Sequence, residues 1–240
     1  MLKKITSELR DIFFQTSARI KGQFNRSYAQ FGEDLILKSF LEERYANPAY
    51  RGFWVDIGAH DPIRFSNTKL FSERGWRGIN VDALPSAISR FNKLRARDIN
   101  INVGIGPNEG SLDYYTFKEP AVNTFSKDFA EKTIARSPAN FLGVTQVPVI
   151  TLTTLLNQNL PAGQKIDFFT IDTEGLDLTI LQSNDWEQYT PDYVMIEIHS
   201  EDGKNDSIPT CRVTKYLRSL GYCFVAQCLC TTLYKHESAK

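Results

Sequence analysis

Apolar residues fall into two alternating rhythms along this chain. Runs at 53–57, 78–81, 166–171 and 193–198 are almost continuously apolar and read as strands covered on both faces of a parallel sheet. Between them the spacing turns helical. Residues 28–44 carry a stripe of Ile36, Leu37, Phe40 and Leu41, and Ser66 is placed to cap a helix over 67–74 that Gly75 ends. Residues 85–95, 127–135, a stretch from about Leu176, and 209–220 follow the same helical reading. Further extended stretches are expected at 99–105, 222–226 and 231–235, with a weakly alternating added strand at 112–117. Residues 119–126 read as a loop, and 139–149 match neither rhythm. Strands alternating with helices predict an α/β, doubly wound domain. Residues 1–24 space Leu2, Ile5, Leu9, Ile12, Phe13, Ile20 and Phe24 at helical intervals among basic residues. The chain thus divides into an amphipathic N-terminal helix over 1–26 and a globular domain over 27–240. That helix suits a membrane surface, a partner subunit or its own domain.

Composition narrows the partners. A chain of 240 residues buries one sizeable core without needing a second domain. Its 28 Lys and Arg balance 28 Asp and Glu, so no net field draws it to nucleic acid. The four cysteines, Cys211, Cys223, Cys228 and Cys230, lack the paired spacing of a zinc site and read as reduced packing thiols. No apolar run approaches the ~20 residues that span a bilayer, and the charged, interrupted start lacks a signal-peptide core. A soluble, cytoplasmic protein is expected. Peripheral membrane contact through the first helix and homo-oligomerisation are both left open.

Candidate chemistry gathers where the apolar runs stop. Acids stand at the ends of the predicted strands: Asp56, Asp82, Asp172 with Glu174, and Glu197 with His199. In a parallel sheet these ends share one edge, where α/β folds bind ligands, and the acids would line one crevice. Gly58 would let a ligand approach the backbone after the first run. Gln30, Glu33 and Asp34, at the start of the 28–44 segment, either cap that helix or reach into the site. Asp82 follows Asp56 at about the spacing at which an acid meets ribose hydroxyls, which implies a nucleoside cofactor. The first turn holds Gly58, Ala59, His60, Asp61 and Pro62 in place of the three glycines of a dinucleotide fold. Asp61 would repel a pyrophosphate. Asp56 and Asp61 would instead suit an ammonium and a sulfonium, both carried by S-adenosylmethionine.

Several of these stretches occur together in one known family. YAQFGEDLIL at 28–37, FWVDIGAHDP at 53–62, RFSNTKLF at 64–71, GWRGINVDA at 75–83, EPAVNTF at 119–125 and IDFFTIDTEGLDLTIL at 166–181 resemble the FkbM methyltransferases, in the same order. The resemblance implies a class I methyltransferase, Rossmann-like sheet, mostly parallel and seven-stranded, with helices on both faces and a reversed last strand near 231–235. It also implies that Asp56 and Gly58 hold the methionine part, Asp82 the ribose, and Asn102, Val103 and Gly104 the edge of the adenine. Asp172 is placed with the cofactor as well, and the contacts of His60 and Asp61 stay open.

Transfer of a methyl group from sulfonium to hydroxyl is an in-line displacement governed mainly by positioning. His199, just past Glu197, is placed to take the acceptor proton. Alternatively, Asp172, Glu197 and His199 hold Mg2+ or Mn2+, as in related class I O-methyltransferases, and the metal lowers the hydroxyl pKa. Asp172 and Glu174 complete the candidate catalytic set with Glu197 and His199. The resemblance points to a sugar hydroxyl as acceptor, in a nucleotide sugar or at a surface polysaccharide or other glycan end, with polysaccharide biosynthesis as the setting. A natural-product hydroxyl is the near alternative. Residues 119–149 are a candidate acceptor lid. A nicotinamide-dependent dehydrogenase and a non-catalytic glycan-assembly subunit are the rival readings.

Overall fold

The computed structural model describes residues 26–198 and 210–239. His199, and the helix expected over 1–26 apart from Arg26, lie outside the described residues. The strands are β1 (Phe53–Ile57), β2 (Arg77–Asp82), β3 (Ile99–Asn102), β4 (Gly104–Ile105), β5 (Gly110–Phe117), β6 (Phe141–Ile150), β7 (Phe168–Ile171), β8 (Tyr193–Glu197), β9 (Tyr222–Cys228) and β10 (Thr231–His236). The helices are α1 (Glu33–Phe40), α2 (Glu42–Ala46), α3 (Lys69–Glu73), α4 (Pro85–Leu94), α5 (Lys127–Arg136), α6 (Leu152–Asn159), α7 (Asp177–Gln182) and α8 (Arg212–Ser219).

The unbroken apolar runs are explained by a core on each side of the main sheet. In β1 every residue is buried, with Phe53, Val55 and Ile57 in one cluster and Trp54 in the other. β7 and β8 divide likewise: Phe169, Ile171, Val194 and Ile196 face one side, Phe168, Tyr193 and Met195 the other. Leucines of α6, Ile180 and Leu181 of α7, and Val213 and Leu217 of α8 cover the first face. Leu37, Leu41, Leu70, Phe71 and Trp76 cover the second. A strand sandwiched this way has no solvent face to keep polar.

The main sheet is seven-stranded, in the order β3-β2-β1-β7-β8-β10-β9. β1, β2, β3, β7 and β8 run parallel, and β10 is reversed between β8 and β9. This is the class I methyltransferase arrangement, with the reversed strand at 231–236.

Several elements differ from the sequence expectation. The 28–44 helix begins only at Glu33 and breaks at Leu41, which leaves 28–32 irregular. The single extended run at 99–105 divides into β3, which stays in the main sheet, and β4, which leaves it. β4, β6 and β5 form a separate three-stranded sheet, and the added strand expected near 112–117 is β5 of this lobe. Its other long strand, β6, occupies the segment that matched neither rhythm, and α6 is an unforeseen helix capped by Thr151, whose side chain accepts from the Thr154 N–H.

Candidate active site

β1, β2, β7 and β8 run in register, with Ile57 beside both Val81 and Ile171, and Ile171 beside Ile196. Their carboxyl ends therefore form one edge. Asp56, Asp82, Asp172, Glu174 and Glu197 all line a single cavity of about 320 Å³ along it. The cavity sits where the strand order reverses about β1, the usual ligand crevice of an open α/β sheet. Acids at the opposite edge are treated differently: Arg44 pairs with Asp167 at 2.8 Å and with Asp192 at 2.6 Å. Among the described residues no cation lies within salt-bridge distance of Asp56, Asp82 or Asp172.

Asp56 is almost fully buried and accepts a hydrogen bond from Thr68 Oγ1 at 3.1 Å. Arg95 in turn donates to Thr68 Oγ1 at 2.9 Å and pairs with Asp98, so its charge reaches Asp56 at second hand. Burial pushes the Asp56 carboxyl up to about 7, against the lowering effects of Arg95 and Thr68. Gly58 follows in a left-handed conformation, φ 79°, and a Cβ there would lie 1.8 Å from the Asp172 carbonyl oxygen. The glycine is thus required by the close approach of the neighbouring strand end, and it lines the cavity as well.

Asp82 accepts from the backbone N–H of His60 at 2.8 Å and of Leu84 at 2.7 Å, one on each oxygen. These bonds fix the carboxylate while leaving lone pairs for a ligand. Burial raises its pKa, opposed by those same two bonds. His60 lines the cavity at φ 53°, and burial lowers its pKa. Asp61 does not line the cavity. It accepts from the N–H groups of Ile63 and Arg64 and pairs with Arg90 at 2.9 Å, so it shapes the turn. Asn102 is likewise exposed outside the cavity, donating to the carbonyls of Asp82 and Ala83 at 2.9 and 3.0 Å. Val103 and Gly104, beside it, do line the cavity.

Across the crevice, Asp172, Glu174 and Glu197 each bring a carboxylate oxygen within 4.8 Å of the others. The sequence placed His199 with Asp172 and Glu197 as the metal set. His199 lies outside the described residues, and among those described Glu174 joins Asp172 and Glu197. Asp172 meets solvent by way of the cavity yet sits deep among protein atoms. That depth, followed by the charge and hydrogen bond of Glu197, holds its pKa well above the ordinary carboxylate range. Glu174 takes a left-handed φ of 52°, with its carbonyl held by Thr124 Oγ1 at 2.9 Å. Cys230, read from sequence as a packing thiol, lines the cavity and donates to Glu197 Oε1 at 2.7 Å. Burial pushes this thiol up to about 12, with Glu197 adding to the effect.

The other lining residues include Gln30 and Glu33, which the sequence left as either helix caps or site residues, and several that it did not mark. Gln30 and Phe31 reach the cavity because 28–32 is not helical, whereas Asp34 turns inward and accepts from the Tyr28 N–H and Ser27 Oγ. Glu33 both lines the cavity and accepts from the Phe31 N–H at 2.8 Å. Asn67 bridges to Thr170 Oγ1 at 3.1 Å, and both line the floor. Tyr114 comes from the lobe, where partners distant in sequence decide its direction. Of the expected lid at 119–149, only Pro120, Ala121 and 123–125 face the cavity.

No curated protein matches the sequence. Among solved structures the chain is similar to a 1,6-didemethyltoxoflavin-N1-methyltransferase of Burkholderia thailandensis with bound 1,6-didemethyltoxoflavin and S-adenosylhomocysteine, at 14% identity. The match covers 97% of this chain and 87% of that one, with a TM-score of 0.42. The sequence model of the methyltransferase FkbM domain matches residues 56–224, a span that opens on Asp56 and takes in Asp82, Asp172, Glu174 and Glu197. With the strand order of a class I methyltransferase and its carboxylates on one edge, the chain belongs to the FkbM family of methyltransferases.

Proposed function

We propose that the protein transfers the methyl group of S-adenosylmethionine to a hydroxyl of a sugar, in a nucleotide sugar or at a glycan end. One observation carries the reading: acids from separate strands, Asp56, Asp82 and Asp172, open on one cavity without a cationic partner among the described residues. The donor set fits this cofactor. Asp82, pinned by two backbone bonds, would accept the ribose hydroxyls, and Asp56 and Asp172 would face the ammonium and sulfonium. When bound, the cofactor supplies a methyl carbon made electrophilic by the sulfonium. The residues of this chain orient the acceptor and remove its proton.

Glu197 is the group for that proton, since it ends β8 inside the cavity and is held by the Cys230 thiol. The Asp172, Glu174 and Glu197 oxygens also suit a divalent cation such as Mg2+ or Mn2+, because carboxylates this close repel unless a proton or metal lies among them. A cation there would bind the hydroxyl and lower its pKa. A screen of nucleotide sugars with labelled S-adenosylmethionine, run with and without EDTA, tests the proposal. Label in a sugar product supports it. Label appearing only in natural-product acceptors, or binding of NAD in place of S-adenosylhomocysteine, would redirect it.

A further inference from the structure

Residues 119–149 were expected to cover the acceptor, yet Phe125 packs beside Gly104, just past the end of β3. Thr124 and Phe125 are tied down by the backbone pair Tyr115–Thr124, by Thr124 Oγ1 on the Glu174 carbonyl, and by the Ser126 N–H on Thr124 Oγ1 at 2.8 Å. Phe125 presses on the backbone that leaves β3: a Cβ on Gly104 would lie 2.5 Å from its ring. Tyr114 stands behind it with ring centroids 4.6 Å apart, and is 7% exposed. The Tyr114 hydroxyl lies beside the Asn123 side chain and near enough to Asp82 for that charge to raise its pKa, after burial itself. Phe125 and Tyr114 thus border the part of the cavity next to the ribose acid, together with Ala83, Val103 and Ile105.

We infer that Tyr114 and Phe125 form the wall against which the base of the cofactor's nucleoside rests, so that this lobe belongs to the cofactor site. The inference rests on the S-adenosylmethionine reading above and deepens it. A ribose held on Asp82 leaves its base one sugar-length away, and the lining on the β3 side changes there from carboxylates to aromatic and aliphatic groups. A purine has that same division, with apolar faces and a polar edge. Asn123 and the Tyr114 hydroxyl are the polar groups within reach of such an edge. The acceptor is then left to the side of Phe31, Glu197 and Cys230.

Calorimetric titration with S-adenosylhomocysteine and with adenosine, on wild type, Phe125→Leu and Tyr114→Phe, tests the wall. Phe125→Leu keeps most of the volume that packs on Gly104 and removes the aromatic face. It should weaken both ligands by about 5- to 100-fold, the range that loss of base stacking gives. Tyr114→Phe should weaken them less. Saturation-transfer NMR on the wild type needs no variant: irradiating the aromatic envelope should label the adenine protons more strongly than those of the homocysteine tail. Wild-type affinity in Phe125→Leu, or saturation strongest on the tail, overturns the wall while leaving the cofactor assignment intact. A wild-type protein that binds neither ligand overturns the cofactor reading and this inference with it.

Discussion

Asp56 combines a place in the cavity wall with a thermodynamic cost. Its carboxyl titrates near 7 in the folded protein and near ~4 when unfolded, because burial disfavours the charge. The folded state therefore holds this proton more tightly. The stability the group contributes is complete below the unfolded pKa and is lost as pH climbs through about 7. Asp56→Asn has no charge to bury and keeps an oxygen for Thr68. It should melt at least roughly 4 °C higher than wild type at pH 8 without ligand, with the gap narrowing at pH 5, and should bind S-adenosylhomocysteine more weakly. An unchanged or lower melting temperature at pH 8 contradicts this assignment of the cost. Glu197→Gln should lower methyl transfer by about 10²- to 10⁴-fold while leaving S-adenosylhomocysteine affinity within about twofold. Wild-type turnover in that variant would remove Glu197 from the reaction. These acids were legible in sequence because a strand end fixes a residue's place in an α/β sheet. Asp61 and Asn102 were misplaced because the end of a strand does not fix the direction of a side chain: each turns to backbone groups of its own loop or the next.

Among the elements, doubly buried strands announced themselves and lobe strands did not. β1, β7 and β8 have no polar face to blur their apolar runs, whereas β6 is exposed or half-exposed over nearly its whole length. α6 was hidden by its Thr and Asn content, poor helix formers that are outweighed by the burial of Leu152, Leu155 and Leu156. Its start depends on Thr151, so Thr151→Ala should cost about 1 kcal/mol in urea denaturation, and no loss would mean that packing alone fixes the helix. The β1 turn is less forgiving. Gly58→Ala combines a left-handed backbone with a Cβ set against the Asp172 carbonyl, so it should cost more than ~2 kcal/mol and disturb the crevice as well. A variant as stable as wild type would show that the β1 and β7 ends can separate freely.

For the whole molecule, the parallel sheet turns sequence positions far apart into neighbours, and its two edges diverge in charge pairing. Arg44 neutralises acids at one edge, whereas the other gathers them round a cavity. Such a concentration of negative charge is expected to favour a cationic cofactor and a divalent metal. Added magnesium should raise the wild-type melting temperature and leave that of Glu174→Gln nearly unchanged, and equal shifts in both would place any metal elsewhere. Among the described residues no helix is long and apolar enough to cross a membrane. The α/β layering and its ligand edge were readable from chain alternation, whereas the seven-stranded sheet with its reversed strand came from the resemblance to the FkbM methyltransferases. The place of the lobe residues was not readable, since Tyr114 and Phe125 meet only through the pairing of β5 with β6 and with Thr124. The most direct measurement is a crystal structure with S-adenosylhomocysteine. The ribose hydroxyls should lie about 3 Å from the Asp82 carboxylate, with the amino group towards Asp56 and Asp172. A ligand bound away from this edge, or a cavity still empty at saturating concentration, would contradict the account.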